Sequence, residues 1–232
     1  MLGRAVPAHF TRHGYPAYAF DLRGHGNSDR GRRLNRTRIA DYVADLDHVV
    51  RGLDTTPVVV GHSIGGVIVQ KYLETHRAAA GVLVASLPPS GGLPAAIRWA
   101  GRYPLAMLRA NATRSLHHLI ATPELARKAF FSDGFPHERL TDYSSRLQDE
   151  SYRAFLDMLL LDKPHPERVR TPMLVLGAER DTILTRAEIE ATARAYNTEP
   201  AFLPTAHSMM LDDGWQAVAD RILTWLDRPG LY

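Results

Sequence analysis

The stretch VVVGHSIGGVIVQ, residues 58–70, decides the fold. Three valines run into Gly61-His62-Ser63-Ile64-Gly65-Gly66, and a helix-compatible apolar pattern follows at once. Strand, very tight turn and helix in that order, with Gly-x-Ser-x-Gly at the turn, make a nucleophile elbow, which lifts one serine hydroxyl to the end of a sheet. The glycines have a steric reason: a Cβ at Gly61 or Gly65 is expected to collide across the turn. The turn also leaves the backbone N–H of Ile64 at a helix start, where donors lack intrahelical acceptors and negative charge is favoured. A glycine-rich turn whose serine merely caps the helix is the competing reading.

Working outward, residues 81–86 (GVLVAS) are apolar without alternation, the mark of a strand buried on both faces of a parallel sheet. Residues 172–177 and 201–203 read as two further strands. Upstream, residues 15–20 (YPAYAF) read as a strand with the loop DLRGHGNSD after it. Residues 5–12 read as the tail of a helix stopped by Gly14. Helices are expected over residues 37–53, 64–76 and 185–195, and over a last helix capped by Asp212 with Trp215, Val218 and Ile222 on one face. Residues 88–166 contain only helix-like windows, at 93–109, 113–121, 123–131 and 149–162, with Thr122 and Pro123 suited to start the third. The chain therefore divides into residues 1–87 and 167–232, two parts of one core, and an inserted helical cap at 88–166. The fold class is α/β: a doubly wound, mostly parallel sheet with its active crevice at the carboxyl ends of the strands.

Ser63, Asp181 and His207 each stand just past the end of an expected strand. Serine, acid, histidine is the chain order that accompanies this elbow. Serine is a poor nucleophile at its own pKa, so a histidine must take its proton during attack and return it to the leaving group. An aspartate behind the ring holds the useful tautomer and stabilises the cation. Glu179, two places before Asp181, is the rival acid. His62 is expected to point away from Ser63, His25 to hold two glycine turns together, and His117 and His118 to mark a polar surface. No paired-cysteine, His-x-x-x-His or clustered-carboxylate spacing supports a metal, and the glycines form neither a dinucleotide fingerprint nor a Walker loop. No cofactor is expected.

The 232 residues carry a formal charge of +3 and no cysteine, which excludes disulfides and thiolate metal sites. Residues 30–38 hold five arginines, but without interleaved aromatics they read as a solvated connecting loop. No nucleic-acid partner is expected, a cytoplasmic location is, and no apolar run is long enough to span a membrane.

YAFDLRGHGNSD, GHSIGG, VLGAERD and AHSMM together resemble the α/β-hydrolases, and most of all the bacterial lysophospholipase and monoacylglycerol-lipase-like serine esterases. The resemblance implies Ser63 as nucleophile, Asp181 as acid, His207 as base and the Ile64 N–H as one half of an oxyanion hole. It implies a small-molecule acyl substrate and hydrolysis of a carboxylic ester, an acyl-glycerol or lysophospholipid among the candidates. Thioester, amide or carbon-carbon hydrolysis and cofactor-free perhydrolysis use a similar triad. A serine at 63 speaks against the carboxylate attack of haloalkane dehalogenases and epoxide hydrolases. Relatives carry more strands at the front and a His-Gly loop that donates the second oxyanion N–H. His13-Gly14 lies too close to DLRGHG to be that loop. The favoured expectation is a start at an internal methionine of a longer protein. The alternative is a short variant, catalytically weak or only ligand-binding, that exposes a sheet edge and self-associates. Without the strand that relatives place between them, residues 15–20 and 58–60 must pair directly or leave a gap in the sheet.

Overall fold

Four parallel strands in the order β1-β2-β3-β4 carry the molecule: β1 (Val58–His62), β2 (Ala80–Val84), β3 (Met173–Ala178) and β4 (Pro200–Leu203). The structure, a computed structural model, describes residues 5–28 and 34–229. Val82 faces Val60 on one side and Leu174 on the other. Every residue of β2 and β3 is buried, as their unbroken apolar runs demand.

Helices cover both faces. On one lie α2 (Ile39–Arg51), α3 (Ile64–Leu73) and α9 (Arg186–Ala195), which pack Tyr42, Val67, Tyr72 and Ile189 against the sheet. On the other, α1 (Ala5–Arg12) and α10 (Trp215–Leu226) bring Phe10, Val218, Ile222 and Trp225 against Val82, Leu174 and Leu176. Helix α3 buries most of its surface because it runs beneath the middle of the sheet. Thr185 and Glu188 form a reciprocal capping box that fixes the start of α9.

Between β2 and β3 the chain is helical: α4 (Leu93–Arg102), α5 (Pro104–Thr113), α6 (Pro123–Phe130), α7 (His137–Ser145) and α8 (Tyr152–Leu156), with a π-turn at Asp157–Leu161. The single helix expected over residues 93–109 is two. Pro104 occupies the first position of the second helix, where its missing N–H costs nothing, and Tyr103 closes one helix and opens the next. Thr122 caps α6, its hydroxyl accepting from the Leu125 N–H at 3.2 Å.

Two expectations are corrected. Residues 15–20 are not a strand, since no ladder joins them to β1. An extended run needs a neighbour to satisfy its backbone, and these residues leave Tyr18 and Phe20 exposed instead. The gap foreseen between them and β1 is present, with Val60 44% exposed beside it. Asp212 does not cap the last helix; Gly214 holds that position and the Asp212 carboxylate is buried elsewhere. Of the arginine-rich stretch, residues 30–33 lie outside the described residues. No described helix is long and apolar enough to cross a membrane.

Candidate active site

Ser63 sits between β1 and α3 at φ 52° and ψ −117°, a backbone region that L-residues rarely adopt. Gly61 makes that turn sterically possible, because a Cβ there would run into the backbone of Gly65 and Gly66. Gly65 itself has open space where its Cβ would be, contrary to the expectation from the sequence. The second obligatory glycine is Gly66, whose Cβ would strike the buried Ser86 side chain. Ile64 is the first residue of α3, so its N–H lies outside the helix ladder.

His207 comes from the loop after β4 and Asp181 from the loop after β3. The structure brings both to Ser63. His207 Nε2 lies 3.1 Å from Ser63 Oγ and its Nδ1 lies 2.8 Å from Asp181 Oδ2. The side chains of His207 and Asp181 are 1% and 2% exposed, so this contact is shielded from water. The other carboxylate oxygen of Asp181 accepts the backbone N–H groups of Ile183 at 2.8 Å and Leu184 at 3.0 Å. Burial pushes the Asp181 carboxyl up, but the facing His207 and those two N–H donors outweigh it and hold it below the ordinary carboxylate value. Glu179 is exposed and makes no contact with His207, which removes it as the rival acid.

The histidine loop is fastened from three sides. The Ser208 N–H donates to the Phe130 carbonyl at 2.8 Å, and the Phe130 ring lies over the imidazole with centroids 6.0 Å apart. Asp212 accepts the Ala206 N–H at 2.7 Å through one oxygen and the Ser132 hydroxyl at 2.8 Å through the other. His62, expected only to point away from Ser63, donates from Nε2 to the His207 carbonyl at 2.8 Å. Burial and the nearby His207 push its pKa down to about 4. Neither support was visible in sequence, since each is a contact between distant loops. His25 spans the Arg23 carbonyl and the Asp149 carbonyl, so it ties the glycine loop to the helical insertion and does not join two glycine turns as expected. No cluster of metal-ligating side chains occurs among the described residues.

Ser63 opens into a cavity of about 740 Å³ walled by Phe20, Val60, Trp99, Phe130, Met158 and Leu159, with Gln148 and Glu150 as its polar edge. Part of it is the gap beside β1, and the helical insertion forms its roof.

A model of the alpha/beta hydrolase family matches residues 3–221. The chain belongs to that family. Among solved structures of the same fold, an esterase from Exiguobacterium antarcticum superposes with a TM-score of 0.70 at 17% identity, covering 96% of this chain and 85% of that one. A monoacylglycerol lipase from Paleococcus ferrophilus gives 0.70 at 20% identity, covering 96% and 87%. In sequence, a non-heme chloroperoxidase of Streptomyces lividans is 39% identical over 87 residues, 34% of this chain. An epoxide hydrolase 3 of Xenopus tropicalis is 38% identical over 65 residues, 28% of this chain. The matches span 30% and 18% of the lengths of those two relatives.

Proposed function

We propose that the protein is a serine hydrolase that cleaves a carboxylic ester of an apolar acyl group through an acyl-enzyme. The observation that carries this reading is the continuous relay from the Ser63 oxygen through His207 to Asp181 at the mouth of an apolar cavity. As Ser63 Oγ bonds to the carbonyl carbon, its proton passes to His207 Nε2 and the carbonyl oxygen becomes an oxyanion. The Ile64 N–H donates to that oxyanion, and Asp181 stabilises the imidazolium. His207 then protonates the leaving alcohol as its bond to the acyl carbon breaks. In the second half His207 takes a proton from water, hydroxide bonds to the acyl carbon, and the proton returns to Ser63 as the acid departs. The cavity holds the acyl chain, and an acyl-glycerol or lysophospholipid suits it. The helical insertion, residues 88–166, acts as the cap that shapes the pocket.

A fluorophosphonate probe tests this directly: mass spectrometry is expected to find the adduct on Ser63, with none on the Ser63→Ala variant. An intact, folded sample that stays unlabelled and turns over no ester in a short- to long-chain panel would sink the reading. The partial match to a chloroperoxidase keeps a second reading, perhydrolysis, in which hydrogen peroxide takes the place of water against the acyl-enzyme. Peracid formed from acetate and peroxide, lost in Ser63→Ala, separates the two. A serine at 63 supports neither the alkyl-ester nor the epoxide-opening route that begins with a carboxylate. The outer edge of β1 is read as a site where a second copy of the chain adds its own strand.

A further inference from the structure

Helices α4 and α5 carry large apolar side chains on their water-facing side as well as on the side that lines the cavity. Along α4, residues 94, 97, 98, 101 and 102 share the exposed face and include Ile97, 62% exposed, while Ala95 is buried. Along α5, Leu105 and Leu108 are 70% and 65% exposed, while Ala110 is completely buried. Large apolar side chains left in water gain nothing from folding, so Ile97, Leu105 and Leu108 mark this face as a place of contact. The π-turn that packs beside α4 adds exposed Leu160 and Leu161.

The charge on these helices is of one sign. No Asp or Glu occurs anywhere between Glu74 and Glu124. Arg98 is taken up by Glu188. Arg102 and Arg109 are exposed and have no acidic partner among the described residues. Leucine and isoleucine beside unpaired arginines, on consecutive helices joined at Tyr103, suit the boundary of an anionic bilayer: apolar side chains enter the acyl region and guanidinium groups meet phosphate. The inner faces of the same helices contribute Ala95, Trp99 and Met107 to the cavity wall, so the two helices carry the outer contact face and line the chamber that holds Ser63.

We infer that the exposed face of α4 and α5, built on Ile97, Leu105, Leu108, Arg102 and Arg109, docks the protein reversibly on a negatively charged lipid surface. Charge complementarity selects a lipid surface over a second copy, because two copies would bring the same arginines together. The inference goes beyond the ester reading and does not depend on it.

Flotation of the full chain with extruded vesicles tests it. Phosphatidylcholine mixed with an equal part of phosphatidylglycerol is expected to carry protein to the top of the gradient. Phosphatidylcholine alone is expected to carry much less, and added salt to release what is bound. Each basic side chain at such a surface is worth about fivefold in partitioning, so Arg102→Gln with Arg109→Gln lowers binding to anionic vesicles by about thirtyfold. Leu105→Glu with Leu108→Glu abolishes it. Both variants change exposed positions, and unaltered circular dichroism and thermal unfolding certify that they fold. The same measurements on Ser63→Ala are expected to match the parent, which keeps docking distinct from turnover: vesicle binding without ester cleavage sinks only the hydrolase reading. The inference falls if the parent ignores anionic vesicles, if either double variant binds as the parent does, or if light scattering shows a dimer that the leucine variant dissolves.

Discussion

Two side chains at the site resist protonation, Asp181 keeping its charge and His62 staying neutral, and each has a measurable consequence. Asp181 stays ionised because a histidine and two N–H donors face it, so Asp181→Asn removes the group that fixes the tautomer of His207. Its kcat is expected to fall about ten-thousandfold in a steady-state ester assay. A loss below tenfold would mean that the 2.8 Å contact is not used in catalysis. His62 resists protonation, with its pKa lowered from 6.5 to about 4 by burial and by His207. The unfolded chain takes up that proton below its ordinary value while the folded chain does not. Stability from this group is thus complete above about 6.5 and drains away as the pH falls toward 4. Urea unfolding is expected to show a loss of about 2 kcal/mol from this group between about pH 7 and pH 5. In His62→Gln the slope flattens over that window. The amide can still donate to the His207 carbonyl, so activity survives better than in His62→Leu. An unchanged slope in His62→Gln would assign the pH dependence to other groups.

The elbow needs Gly61 and Gly66, whereas Gly65, the second glycine of the Gly-x-Ser-x-Gly motif, has open space at its Cβ position. Gly66→Ala drives a methyl group into Ser86, which is buried and already held by the Gln70 amide at 2.8 Å. It is expected to cost about 1–3 kcal/mol in denaturant unfolding. Gly65→Ala meets nothing within 4 Å and lies in the first turn of α3, so it is expected to be neutral or to stabilise by about 0.5–1 kcal/mol. The reverse order of stabilities would mean that the turn relaxes differently. This is also where the sequence was and was not enough. The strands β1 to β4 and the turn at Ser63 were legible because each depends on local pattern: apolar runs without alternation and a glycine-bounded serine, with Asp181 and His207 placed just past two further strand ends. Residues 15–20 misled because an apolar, aromatic run has strand character only if another strand lies alongside, and that neighbour is a long-range fact. Helix α7 escaped notice because only Leu140 of its nine residues is buried, so it carries almost no apolar period. Asp212 looked like a cap by position, but its partners, Ala206 and Ser132, are set by how two loops meet.

At the scale of the whole molecule the sheet is asymmetric, and its outer edge is the consequence. The Pro57 carbonyl accepts from Ala79 and the Ser63 N–H donates to Val84, so odd-numbered residues of β1 turn their backbone groups toward β2. The groups of Val58, Val60 and His62 turn the other way, toward residues 15–20, and no ladder meets them there. A row of unpaired donors and acceptors beside an apolar gap is a template for another strand. Hydrogen exchange followed by NMR reads this residue by residue. In dilute solution the amides of Val59 and Gly61 are expected to be protected and those of Val58, Val60 and His62 to exchange much faster. Raising the protein concentration is expected to protect the second group while light scattering reports a larger species, because a second copy then adds its strand to the edge. Equal protection along β1 at every dilution would mean that the edge is already covered within one chain. Alternation that persists at high concentration would mean that the edge stays open to water and that self-association does not run through it.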